Sequence, residues 1–295
     1  MKKVIMQVKR ITTRPVIHPG MDDSLGNNIT GPSLIRTPDW LPGPLGRYYL
    51  YFAHHNGKTI RLAYSDRIEG PWSIYQPGTL TLEASLFEGH IASPDVHIDN
   101  ANKQILMYFH GSDAETDDST PQYTRLAISK DGLSFTAGDN LLGNPYWRAF
   151  RYRSQTYALA MPGVFYRSIN NEHLFERGPT VFGANMRHCA VRVVDNTLQV
   201  FYSNVGDCPE SILLSYIDLS DDWTRWTPGP AQILLSPVSD DEGLNAPRVP
   251  SVRGMAKKPV YELRDPAILE DDQQAYLAFS VAGEQGISIA RIYEV

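Results

Sequence analysis

At several points along this chain, groups able to bind hydroxyls or move protons sit at or just before a short apolar strand. The first point carries Asn27, Asn28 and Thr30, and the second His90, Ser93 and Asp95. The third carries Trp147 and Arg148, the fourth Arg187 and His188, and the fifth Glu262, Arg264 and Asp265. Carboxylates and guanidiniums bracket hydroxyl groups through paired hydrogen bonds, and an aromatic face such as that of Trp147 covers a sugar ring. A buried carboxyl or imidazole with a shifted pKa transfers protons. The mixture suits a polyhydroxylated substrate. Each group also has a plainer reading. Asp95 beside Pro94 could bond only backbone amides at a strand start, Arg264 and Asp265 could be a structural ion pair, and His90 and His188 could be hydrogen-bonded core residues. His54 and His55 follow an aromatic strand and are further candidates for contact with substrate.

What would bring such distant residues together is a repeat. Gly31-Pro32-Ser33-Leu34-Ile35 is followed by Tyr48-Tyr49-Leu50-Tyr51-Phe52-Ala53 and Ile60-Arg61-Leu62-Ala63-Tyr64-Ser65. The pattern returns from Ser93-Pro94-Asp95-Val96 and from Arg264-Asp265-Pro266-Ala267, and less regularly from Arg148-Ala149-Phe150 and Arg187-His188-Cys189. Three or four strands at this spacing, five times over, predict an all-β, five-bladed β-propeller occupying residues 1–295 as a single domain. The first strand of every blade then reaches one central funnel. Residues 4–8 are expected to supply the fourth strand of the last blade beside residues 287–293, tying the termini together and hiding an edge. Trp72, Trp223 and Trp226 at blade ends are expected to pack between blades. Two polar or Pro/Gly-rich stretches, 111–122 and 239–258, read as loops of a length that is usually functional or disordered.

Composition agrees with strands over helices: 16 Tyr, 10 Phe and 5 Trp favour pleated packing, and 22 Gly with 21 Pro make the chain turn-rich. With a formal charge of −6 and no basic block beyond Lys257-Lys258, nucleic-acid binding is not expected. No stretch is long enough to span a membrane, and the apolar run after Lys2-Lys3 is too short for a secretory signal. The two cysteines, Cys189 and Cys208, are too few for a disulfide scaffold and are expected to be reduced, as in a cytoplasmic protein. No cofactor is expected, although histidines near a propeller axis could ligate a structural cation. The oligomeric state is left open.

Ala92-Ser93-Pro94-Asp95-Val96 resembles the second-blade strand start of family 43 glycoside hydrolases, and Leu263-Arg264-Asp265-Pro266 resembles the Arg-Asp-Pro motif of families 32 and 68. With family 117 these share the five-bladed propeller, so the resemblance implies a glycosidase acting on an oligosaccharide by acid–base catalysis, with inversion. It implies that Asp95 tunes the acid and that Asp265 stabilises the transition state. Those families place an aspartate at the first-blade start, where this chain has Asn28-Ile29-Thr30-Gly31-Pro32. Asp23 could serve from the preceding loop, the mechanism could differ, or the chemistry could be lost. For the acid, Glu242 and Glu262 compete with His188. Glu242 is also a candidate for contact with substrate.

Two further functions stay open. One is a non-catalytic glycan-binding propeller. The other is a phosphorylase in which Arg148, Arg187 and Arg264 bind phosphate. Pro266 is expected to hold Asp265 extended, which would send Arg264 and Asp265 to opposite faces. Because the motif that this segment resembles uses the aspartate, Asp265 is expected to face the centre and Arg264 to lie to the side.

Overall fold

The computed structural model describes residues 6–114, 120–170 and 173–294. Strand β1 (Met6–Arg10) comes first. The first blade is β2 (Thr30–Arg36), β3 (Tyr48–Ala53), β4 (Thr59–Ser65) and β5 (Ser73–Thr81). The second is β6 (His90–Asp99), β7 (Gln104–Ser112), β8 (Tyr123–Ser129) and β9 (Thr136–Ala137). The third is β10 (Arg148–Tyr152), β11 (Gln155–Ala160), β12 (Val164–Asn170) and β13 (Leu174–Thr180). The fourth is β14 (Met186–Val194), β15 (Thr197–Asn204), β16 (Ile212–Asp218) and β17 (Gln232–Leu235). The fifth is β18 (Leu263–Asp271), β19 (Gln274–Val281) and β20 (Ile287–Glu294). Each blade is an antiparallel sheet of four strands in sequence order, and β1 completes the fifth by pairing with β20, Val8 opposite Ile292. The ring closes as the sequence implies. Val4 and Ile5, also assigned to that strand, lie outside the described residues.

The strands are apolar on both faces because each inner sheet is covered by a blade on either side. In the first blade Tyr49 and Tyr51 turn toward the second, packing with Phe109 and Phe135, while Leu50 and Phe52 turn toward the fifth, packing with Ala267 and Ile289. The same period-two division gives Phe201 to the fourth–fifth interface and Val200 to the third–fourth. Trp72, Trp223 and Trp226 are buried between blades. So is Trp147, 1 % exposed and packed on Tyr108, Tyr166 and Phe175. It is core between the second and third blades and offers no face to a sugar.

Four of the five inner strands are irregular at the same level, with register shifts at Thr30/Ser33, Ala92/Asp95, Met186/Cys189 and Arg264/Ala267. In three of them the residue before proline adopts a left-handed φ: Gly31 at 63°, Ser93 at 45° and Asp265 at 51°. Asp265 is therefore not extended. A bulge, which bends the strand and re-aims side chains, outweighs the local bias from Pro266. A Cβ on Gly31 would stand 2.9 Å from Ser93 Cα and 2.8 Å from its Oγ. The tightness of the axis thus explains why no aspartate precedes Pro32.

Below the bulges, side chains stitch each blade to the next. Ser33 Oγ accepts from Val96 N at 2.9 Å, and Asp95 Oδ2 accepts from Ala149 N at 2.8 Å. Arg148 then plugs the axis. Its guanidinium donates to the carbonyls of Cys189 (2.7 Å), Pro94 (2.8 Å), Pro266 (3.3 Å) and Pro32 (3.4 Å), one on each of the other blades.

Candidate active site

Antiparallel connectivity decides which residues meet at the funnel. If inner strands start at one end, the turn between the second and third strands of each blade returns to that end. The site is therefore built from two sets of loops, the strand starts and these turns. They enclose a cleft of about 600 Å³ whose wall includes His55, Tyr146, Arg187, His188, Arg253 and Lys257. His55 comes from the β3–β4 turn and His188 from the bulge of β14. Tyr146 precedes β10, and Arg253 and Lys257 belong to the stretch 239–258, which folds over the funnel.

Two imidazoles in this wall are each held at Nδ1 by a buried carboxylate. His188 Nδ1 lies 2.5 Å from Asp265 Oδ1, a close contact with poor hydrogen-bond angles, and His55 Nδ1 lies 2.8 Å from Glu284 Oε1. Asp265 also accepts from the hydroxyls of Thr30 and Ser280. Glu284 accepts from Asn28 Nδ2 at 2.7 Å and from Ala256 N at 3.1 Å. Tyr146 stacks on His188, ring centroids 3.6 Å apart, and fixes the plane of the imidazole.

Behind the imidazoles runs a network with little exposure to solvent. Arg264, 1 % exposed, bonds Glu262 Oε2 at 2.5 Å and Glu284 Oε1 at 3.3 Å. Arg187 pairs with Glu210 at 3.0 Å and donates to the Val252 carbonyl, while Ser203 donates to Glu210 at 2.6 Å. These contacts set the proton affinities. Burial pushes His188 down, against the pull of Asp265, so it is neutral near neutral pH. Burial favours a proton on Asp265, but His188, Thr30 and Arg264 outweigh it and hold the carboxyl well below its usual range. Glu284 is likewise lowered, with burial outweighed by His55 and Arg264. Glu262 goes the other way, raised by burial and by Glu210 against Arg264.

Of the residues singled out in the sequence, His55, Arg187 and His188 line the cleft, and Asn28, Glu262, Arg264 and Asp265 stand directly behind it. The others lie elsewhere. Asp95 opens with His97 onto the opposite mouth of the channel, beyond the Arg148 plug, and bonds His97 at 2.7 Å. Glu242 clamps Arg10 and the backbone NH of Val238. His54 accepts from Asn56 N, and His90 is buried against Ser112 at 2.9 Å. Asp23 is exposed in the short turn Asp23–Leu25 and does not line the cleft. Glu210, Glu284 and Tyr146 were not singled out. Glu210 and Glu284 sit in β15–β16 and β19–β20 turns, so connectivity was the signal for them. Among the described residues, no group of three or more His, Cys, Asp or Glu is arranged to hold a metal ion. No helix among them is long and apolar enough to cross a membrane, and both cysteines are free.

The architecture is the five-bladed propeller of family 43 glycoside hydrolases. A β-xylosidase/α-arabinofuranosidase of that family from a compost microbial metagenome, solved with xylotriose, superposes with a TM-score of 0.62 at 11% identity, covering 97% of this chain and 94% of that one. An exo-β-1,3-galactanase from Phanerochaete chrysosporium, solved with β-1,3-galactotriose, gives 0.63 at 12% identity over 98% of this chain and 64% of that one. At such identities the likeness is one of fold. No family model matches the sequence. Uncharacterized protein R118 of Acanthamoeba polyphaga mimivirus is 34% identical over 299 residues, spanning 90% of this chain and 83% of that protein. The chain belongs to the family of that viral protein.

Proposed function

We propose that the protein is a glycosidase whose cleft binds an oligosaccharide and cleaves a glycosidic bond by proton transfer between two carboxylate-held imidazoles. The observation that carries this reading is the pairing of His188 with Asp265 and of His55 with Glu284 in the wall of one cleft. Glycoside cleavage needs one group to protonate the leaving oxygen and another to act on the opposite side of the ring. His188, neutral through burial, takes a proton from water while Asp265 stabilises the imidazolium that forms. His55, on Glu284, delivers a proton to the leaving oxygen. Arg264, itself bonded to Glu262, holds Glu284 in place. Retention would require a nucleophilic carboxylate against the anomeric carbon. Among the described residues none lines the cleft, which supports attack by water with inversion. The carbohydrates bound by the structurally similar xylosidase and galactanase support the substrate class.

The second reading is a glycan-binding propeller without turnover. It is favoured by the first-blade strand start, where Asn28 and Thr30 stand at the site and supply no carboxylate. Phosphorolysis has less support than the sequence alone suggested. Of the three arginines assigned to phosphate, Arg148 is engaged by carbonyls and Arg264 by glutamates, and only Arg187 lines the cleft. Incubation with pooled oligosaccharides, with and without phosphate, separates the three. Reducing sugar in both arms supports hydrolysis. Sugar phosphate formed only with phosphate means phosphorolysis, and binding with no product in either arm means a lectin-like role.

A further inference from the structure

Among the described residues, the titratable groups facing the cleft are His55, Tyr146, Arg187, His188, Arg253 and Lys257, and no carboxylate joins them. A neutral sugar presents hydroxyls that both donate and accept, so a site for one commonly supplies acceptors as well as donors. Here the described carboxylates nearest the cleft are engaged inward. Glu284 is occupied by Asn28, Ala256 N, His55 and Arg264. Asp265 is occupied by Thr30, Ser280 and His188. Glu210 is occupied by Ser203 and Arg187. Among the described residues, the charged side chains left toward the cleft besides the imidazoles are three cations, Arg187, Arg253 and Lys257, set among the neutral Asn56, Thr120, Gln122 and Tyr146, on a chain whose formal charge is −6. The cationic character is therefore local. Arg253 is steadied by the Ala184 carbonyl at 2.9 Å, and the bonds that Arg187 makes to Glu210 and Val252 do not use its Nη1. Guanidinium and ammonium groups converging on one cleft, with no carboxylate facing them among the described residues, match a negatively charged ligand.

We infer that the ligand of this cleft carries an oxyanion: a carboxylate or sulfate on the sugar, or a phosphate on the sugar or free beside it. This rests on the cleft being the substrate site proposed above, but not on hydrolysis occurring there. The test is titration calorimetry with galactotriose, trigalacturonate, sulfated galactotriose and inorganic phosphate. It uses the wild type, the double variant Arg253→Gln/Lys257→Gln, and His188→Asn. The inference expects at least one anionic probe to bind about tenfold or more tighter than galactotriose, with a preference that weakens as salt rises. The double variant, altered at two exposed positions, loses that preference with its melting temperature unchanged. Preference for inorganic phosphate alone, lost in the same variant, identifies free phosphate as the source. Equal binding of neutral and anionic trisaccharides, binding of none of the anionic probes, or a preference that survives in the double variant overturns the inference. His188→Asn keeps the preference. If it does so while the wild type turns over no glycan, the hydrolase reading fails and this one stands.

Discussion

Replacing Arg148 by methionine tests whether one side chain locks the ring. Its guanidinium reaches carbonyls on all four other blades, two of them at 2.7 and 2.8 Å, and lies 3.5 Å from Asp95. A hydrogen bond involving a charged group contributes roughly 1.5–3 kcal/mol net, so the two short ones are worth about 3–6 kcal/mol. Removing the arginine also relieves its own desolvation, which offsets part of this, but takes a cation from beside the buried Asp95, which keeps His97. A net loss of about 4 kcal/mol follows. For 295 residues at about 2.1 cal/mol/K each, the unfolding entropy is about 0.6 kcal/mol/K, so the melting temperature should fall by about 6 °C. Arg148→Lys, which cannot span the same carbonyls, should fall between. Reversible denaturation by urea, followed by tryptophan fluorescence, gives the free energy directly. The cycle with Asp95→Asn should show coupling of about 1–2 kcal/mol. A loss under about 1 kcal/mol in Arg148→Met, or full additivity with Asp95→Asn, would refute the plug.

Further expectations follow from the same geometry. Asp95→Asn should lower stability by about 1–3 kcal/mol while leaving kcat/KM on any cognate glycan unchanged, since Asp95 opens on the far mouth of the channel. Gly31→Asp should not restore a first-blade carboxylate. A left-handed φ of 63° and contacts of 2.8–2.9 Å to Ser93 should cost roughly 2–4 kcal/mol, read as a lower melting temperature, and Gly31→Ala should lose nearly as much. Burial lowers His90 from 6.5 to about 4. Between those pH values the unfolded chain binds a proton that the folded chain refuses, so stability falls as pH drops through that window, by roughly 3 kcal/mol for this group. Urea midpoints taken across the window should show this fall, and His90→Asn should flatten it.

The sequence carried the ring and half of the site. The strand starts are legible because a period-two apolar pattern and X-Pro junctions mark them, and Asn28, His188, Glu262, Arg264 and Asp265 all converge at the funnel. His55 was legible as the residue ending an aromatic strand. Glu210 and Glu284 were not marked in this way, because they lie in hairpin turns whose sequences look like any other polar turn. Only the antiparallel path brings them back to the funnel. Asp95 and Arg148 show the opposite effect. They were read from the strand starts, but they lie a layer below the cleft, Asp95 past the bulge of β6 and Arg148 on the regular strand β10, bonding the blades together. Asp265 turns toward His188, as the resemblance implied, but from a left-handed backbone and not from the extended strand that Pro266 suggested.

The account rests on proton transfer by two carboxylate-held imidazoles, and the most direct measurement is turnover of a cleaved glycan by His188→Asn and His55→Asn. The account predicts a fall of about 10²–10⁴ in kcat for each, with the melting temperature within a few degrees of wild type, and a product released with inverted anomeric configuration by NMR. Wild-type turnover in either variant, or a product of retained configuration, would contradict it.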